Sequence, residues 1–261
     1  MSFALRCALA LAASTWLEAV RNRVLLVSVS FIVALIGLSI TTAAVSMGDQ
    51  ARLIIDVGLA AASALGGVMT IALTLASFAR EIEQRTAFPV LVRPLPRWAF
   101  VLGKYLGVVA TMLVVVSLMV LATAVSVWIY GGTLPAAFWP SLYLAWLEVA
   151  VVGAIALAFS CFTTPVLAAT YSAALWLAGS FAGDILALAD TFASKGMAAA
   201  PVVRLAYYFV PDLEALSLRT QAANALPVPA AFVGWATVYS LAYAAFALLV
   251  AMILFTRRRA V

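Results

Sequence analysis

Apolar residues in this chain run on rather than alternate with polar ones. Six stretches, near Val24–Ser46, Val57–Ala79, Tyr105–Tyr130, Ser141–Phe162, Pro165–Ala189 and Ala230–Phe255, are apolar almost throughout. A helix needs about 20 such residues to cross the hydrocarbon of a bilayer. The pattern therefore predicts six membrane-spanning helices. The first, second, third and sixth carry no charge, whereas the fourth contains Glu148 and the fifth Asp184.

The connections differ in character. Ahead of the first span, Phe3, Cys7, Ala10, Leu17 and Val20 approximate one helical stripe over residues 1–23. That pattern predicts an amphipathic helix lying on the membrane surface. Trp16 and Glu18 follow the short apolar run at once and Arg21 and Arg23 precede the first span, which favours that helix over the alternative of a cleaved signal. The turn Gly131–Pro140 is short and carries glycine and proline breakers. Phe162-Thr163-Thr164-Pro165 is shorter still, so spans four and five form a tight hairpin, with Pro165 suited to the first turn of the fifth helix. The stretch 190–229 is long and not of low complexity. Val202–Val210 is apolar, and Asp212 is placed to cap a helix through Ala225 before Pro227 and Pro229. Short helices dipping into, or lying on, the outer leaflet are the expectation there, with a plain folded loop as the alternative. No internal repeat is evident.

Composition turns that pattern into a solvent argument. Of 261 residues, 67% are hydrophobic and 10% charged, against about 25% charged in soluble domains. So much apolar surface cannot be hidden inside one domain of this size, which leaves an all-α polytopic membrane protein with a single transmembrane domain over 1–261. The net charge of +5 would suggest nucleic acid in a soluble protein, but its distribution argues otherwise. Arg6, Arg21, Arg23, Arg80, Arg85, Arg93, Arg97, Lys104 and Arg257 to Arg259 fall on one side, and only Arg52, Lys195, Arg204 and Arg219 on the other. The richer side is cytoplasmic, which places both termini there and agrees with an even number of spans. Arg257-Arg258-Arg259 suits anionic headgroups at the end of the last helix.

Chemistry is sparse. With no histidine and two cysteines, Cys7 and Cys161, the chain lacks Ser-His-Asp and Cys-His catalysis and most zinc chemistry. Both cysteines fall near the cytoplasmic side, where thiols stay reduced. No metal site and no catalytic site are expected.

The segment between spans two and three is the most informative. Glu81 stands four residues before Arg85, the favourable order for a helical ion pair, so the second helix is expected to continue into the cytoplasm. Thr86 and Pro89 mark a turn, Val90-Leu91-Val92 forms an apolar knob, Pro94-Leu95-Pro96 breaks the chain, and Arg97 starts the third helix. Trp98 and Lys104 are expected to anchor that helix at the interface. The positive-inside rule explains the arginines but not an ordered knob between two breakers, which suits docking into another protein.

This segment resembles the signature of permease subunits of type-2 ABC transporters. Arg80, Glu81, Glu83, Thr86, Leu91, Pro94, Arg97, Gly103 and Lys104 occur in matching order, and Arg85 stands where many members have glycine. The six-span layout extends the resemblance along the chain. It implies a coupling helix within 80–104, with Glu81, Glu83, Arg85, Thr86, Val90, Leu91, Pro94 and Arg97 engaging a separate ATPase. It implies two ATPase subunits carrying ATP and magnesium, a second permease copy as a homodimer partner, and a bacterial inner membrane. Gly103-Lys104 is followed by Tyr105 and lacks the earlier glycine of a phosphate-binding loop, so ATP and any other cofactor are expected on the partner alone.

Glu148 is the costly residue. A carboxylate within a span costs on the order of 2.5–3.5 kcal/mol by insertion scales. It reads either as a polar group in a substrate path or permease interface, or as a hydrogen-bonding partner of a neighbouring helix. Asp184, nearer the outer surface, is expected to be solvated. Gly66-Gly67 and Gly179-x-x-x-Gly183 permit close helix approach. The largely apolar path suggests a lipidic or amphipathic cargo. The alternative to an exporter subunit is an ion-coupled secondary transporter or channel using Glu148.

Overall fold

The computed structural model describes residues 10–18, 29, 30, 32–34, 37, 50–83, 97–195 and 200–257. All regular structure among them is helical. We label residues 10–18 α1, Gln50–Glu83 α2, Arg97–Ile129 α3, Phe138–Phe162 α4, Pro165–Ser180 α5, Ala182–Ser194 α6, Ala200–Phe209 α7, Arg219–Ala223 α8 and Ala230–Arg257 α9. A single 3₁₀ turn at Glu214–Leu216 lies between α7 and α8.

Four of these helices, α2, α3, α4 and α9, are long and apolar enough to cross a membrane, and α5 with α6 forms a fifth crossing or a re-entrant pair. The expected spans from 57, 105, 141 and 230 thus correspond to single helices, the first three starting earlier than expected. The span expected at Val24–Ser46 lies largely outside the described residues; the few positions described within it are helical.

Helix α4 is the centre of the bundle. In its most apolar stretch 67% of residues are buried, against 28% in α9, so α4 is packed on several sides while α9 offers a face outward. Both α2 and α9 pack along α4, and α2 also runs against α3. Contacts fix the directions. Gly58 meets Thr123 and Gly66 meets Val116, so α2 and α3 are antiparallel. The Tyr143 hydroxyl lies 3.1 Å from that of Thr237, so α4 and α9 start at the same end. Phe78, Phe100 and Phe255 cluster with ring centroids 5.6 to 6.2 Å apart. That cluster gathers the end of α2, the start of α3 and the end of α9. One end of the bundle therefore carries the 83–97 connection, the turn at 163–164 and the close of α9. The opposite end carries the turn after α3 and the segment between α6 and α9.

Small residues set the spacing. A Cβ on Gly67 would stand 2.4 Å from the indole of Trp176 on α5, and one on Gly107 would stand 2.6 Å from Thr15 of α1. Real Cβ atoms do not approach so closely, so glycine is what lets these helices meet.

Two sequence expectations need correction. Lys104 is not an interfacial anchor: it is 1% exposed, with its ammonium 4.0 Å from Glu18 of α1. A charge so deep needs a partner more than it needs the interface, and α1 supplies one. The span expected over Pro165–Ala189 is also not continuous. It bends by 69° between α5 and α6, where Phe181 leaves helical geometry at φ −118° and ψ 28°.

The cause of that bend is visible in the backbone. In an unbroken helix the Gly183 N–H would donate to the Gly179 carbonyl. Here Gly183 N–H donates to the Glu214 carboxylate at 2.6 Å, and the Gly179 carbonyl accepts from Leu213 N–H at 3.1 Å. Both groups freed by the break are thus taken up by residues 213–214, and the two glycines make room for them. A Cβ on Gly179 would stand 2.6 Å from the Pro211 carbonyl, and one on Gly183 would stand 2.7 Å from Glu214. The spacing expected to bring two helices together instead admits a loop.

The long segment from 190 is likewise more broken than a capped helix from Asp212 to Ala225. Asp212 Oδ1 accepts from Ala215 N–H at 3.0 Å, but the residue at the N-cap of the turn that follows is Leu213. That helix lasts only the Glu214–Leu216 turn, and α8 is a separate short helix. Leu213, Leu216 and Leu218 are almost wholly buried against the bundle. Their burial decides the path, because each Leu removed from solvent contributes about 1.5–3 kcal/mol. The segment is a folded cover over the bundle end.

Candidate functional site

Under that cover lies a cavity of about 580 Å³, in the size range of small-molecule sites. Its walls come from Ala60, Ser63 and Ala64 of α2, Glu148 of α4, and Trp176, Leu177 and Ser180 of α5. Its mouth is formed by Phe181, Asp184 of α6, and residues of the cover including Glu214, Arg219, Thr220 and Gln221.

Glu148 sits at the floor, 4% exposed. It follows the start of α4 by ten residues, or about 15 Å of helix rise. The Ser63 hydroxyl lies 2.9 and 2.8 Å from its two carboxyl oxygens. Trp176 donates its Nε1–H to Oε1 at 3.5 Å. Each partner is positioned by its own packing: Trp176 is seated on Gly67, and Ser63 falls one turn before it on the same helix. Three helices thus converge on one carboxyl group.

The mouth is wetter. Asp184, Glu214 and Arg219 are exposed. Glu214 is half committed through its bond to Gly183. The side-chain oxygen of Gln221 is buried and has no hydrogen-bond partner among the described residues.

Glu148 and Asp184 are therefore brought to one cavity, at its floor and its mouth. The expected coupling residues lie elsewhere. Glu81 and Glu83 fall in the last turn of α2, and Arg97 is the first residue of α3. Arg85, Thr86, Val90, Leu91 and Pro94 lie outside the described residues. Sequence reasoning did not single out Ser63, Trp176, Glu214 or Gln221. Only Trp176 left a trace: it stands mid-span, where an indole N–H needs a partner, rather than at a span end.

A family model described as ABC-2 family transporter protein matches residues 9–260. The match takes in α1, every long helix, the broken pair and the cover. The chain is an ABC-2 family transporter protein. A search of the curated proteins returned no match. ABC-2 family membership makes this chain a multi-pass membrane permease that works with an ABC ATPase subunit.

Proposed function

We propose that this ABC-2 family protein is the transmembrane half of an exporter, moving a lipidic or amphipathic substrate with energy from a separate ATPase. The family match over residues 9–260 carries the reading. The helix directions support it. The end of α2 and the start of α3 lie side by side at the bundle end where α9 also closes, so both attachments of the proposed handle are at that end. The excess of Lys and Arg puts that end in the cytoplasm, with both termini beside it, in a bacterial inner membrane.

In this reading the chain has no catalytic site. ATP and magnesium sit on the partner, and two permeases pair with two ATPase subunits. The handle between Glu81 and Arg97, with its knob at Val90-Leu91-Val92, is the part the ATPase grips. ATP-driven movement of the partner then shifts α2 and α3, which line or adjoin the Glu148 cavity. The partner drives the change only through different affinities for two permease states. The outward-facing apolar side chains of α9, among them Trp235, Leu241, Phe246 and Leu249, meet lipid or the second permease.

The test is co-purification and coupled transport. Replacing Val90-Leu91-Val92 by Asp-Glu-Asp should abolish capture of the ATPase subunit and ATP-stimulated transport while leaving the permease folded. Intact assembly and transport in that variant would refute the coupling role. Full transport by the permease alone, without ATPase, would favour the ion-coupled alternative using Glu148.

A further inference from the structure

We propose that the cavity above Glu148 is a binding site for a protonated amine carried on an apolar body. The substrate class follows from what lines the cavity and from what the lining lacks.

The ionisable groups come first. Glu148 lies at the floor, and Asp184, Glu214 and Arg219 surround the mouth. Three carboxyl groups face one guanidinium, and the deepest ionisable group is a carboxyl. A cation placed beside it would pair with the carboxylate in the least hydrated part of the site, where opposite charges attract most strongly. An anionic ligand would find no opposite charge there.

Hydrogen bonding points the same way. Besides its carboxylates, the lining carries the hydroxyls of Ser63, Ser180, Ser217 and Thr220 and the amide of Gln221, each of which holds an acceptor oxygen. The Trp176 N–H is already directed to Glu148. Apart from Arg219 at the mouth and the Trp176 N–H, every polar side chain of the lining carries an acceptor, and a primary ammonium is a donor-only group with three N–H bonds.

The remaining walls set the body. Trp176, Leu177 and Leu213 line the cavity with apolar surface, and Phe181 adds to it at the mouth. An aromatic or short aliphatic chain fits against them, with Trp176 adding cation–π attraction when the ammonium passes its face. A volume of about 580 Å³ admits a ligand of drug size but not a whole two-chain phospholipid.

This proposal rests on the transporter reading only for the fate of the ligand. Binding itself belongs to the permease and is measured without any ATPase, so its failure would leave the ATPase partnership standing. The full chain is reconstituted in phosphatidylcholine nanodiscs, which carry no net headgroup charge. Its thermal melt is followed with three probes of matched body: 4-phenylbutylamine, 4-phenylbutanol and 4-phenylbutyrate. The amine should raise the melting temperature saturably, with an apparent affinity at least about 10-fold above those of the alcohol and carboxylate, a gap of about 1.4 kcal/mol. Glu148→Gln should remove that preference. Leu177→Trp, which fills the cavity and leaves Glu148 in place, should abolish the response to all three. Equal responses to amine and alcohol, or a preference for the carboxylate, would overturn the proposal on the wild-type chain alone. So would amine binding that survives Leu177→Trp.

Discussion

The Glu214 carboxylate accepts the backbone N–H of Gly183 at 2.6 Å, standing in for the helix carbonyl that this N–H would otherwise meet. The contact joins two features that look separate in the sequence: a break in an apolar span and an acid in a distant loop. A negative group at the N-terminus of α6 is also favoured by the helix dipole. The same side chain borders the Glu148 cavity, so the bend and the mouth share one residue.

Glu214→Ala should therefore loosen the start of α6 without unfolding the bundle. Loss of a helix cap costs about 1 kcal/mol, and Glu214 is exposed, so the effect stays local. Hydrogen exchange at Gly183 should quicken by about 5-fold, with residues of α4 unchanged. Unaltered exchange at Gly183 would mean that the contact holds nothing.

Gly67 and Gly234 make a matched pair of tests. A Cβ on Gly67 meets the Trp176 indole, whereas one on Gly234 meets nothing within 4 Å. Gly67→Ala should destabilise the protein by about 1–3 kcal/mol, the usual range for overpacking. Gly234→Ala should be neutral or gain up to about 1 kcal/mol from helix propensity. Thermal melts of the reconstituted protein check both. In a double-mutant cycle, Trp176→Phe should absorb part of the Gly67→Ala loss, because the two positions share one contact.

How far the sequence could be read depended on the kind of signal. The apolar runs placed α2, α3, α4 and α9, because lipid imposes one rule along a whole segment. The break at Phe181 was not legible. Gly179 and Gly183 have the spacing of a helix–helix contact, and nothing local says that a loop 30 residues on will occupy it. Lys104 misled for a related reason. A lysine near a span end usually reaches for the interface, and only the folded position of α1 brings Glu18 within 4.0 Å. Glu148 stood out by its cost, but its partners did not. Ser63 and Trp176 are ordinary residues of apolar helices until three helices bring them together.

The pair between Lys104 and Glu18 predicts an asymmetry. The Lys104 side chain is 1% exposed and that of Glu18 is 36% exposed. Glu18→Gln removes a carboxylate 4.0 Å from a buried ammonium, which should cost up to about 3 kcal/mol. Lys104→Met keeps the stem volume and leaves a carboxylate that water can reach, so it should cost less. Melting temperatures rank the two variants, and hydrogen exchange over residues 11–18 should show α1 loosened in both. The reverse ranking would mean that the ammonium does not depend on Glu18.

Glu148 supplies the sharpest test, because its stability and its use should part company. A buried carboxylate held by one serine hydroxyl and one distant indole N–H is a costly way to fill space. Replacing such a group by an apolar residue of similar size is often neutral or stabilising, whereas removing one partner is not. Ser63→Ala should thus lower stability by about 1–3 kcal/mol, since the carboxyl group stays and its closest hydrogen bond goes. Glu148→Leu should melt at the wild-type temperature or above it, and in the Ser63→Ala background it should restore what that change lost. ATP-driven transport should nevertheless fail in Glu148→Leu, measured in proteoliposomes holding both permease and ATPase. A destabilised Glu148→Leu that still transports would reverse the reading: the carboxylate would then be a strut between helices, and the cavity above it would be incidental.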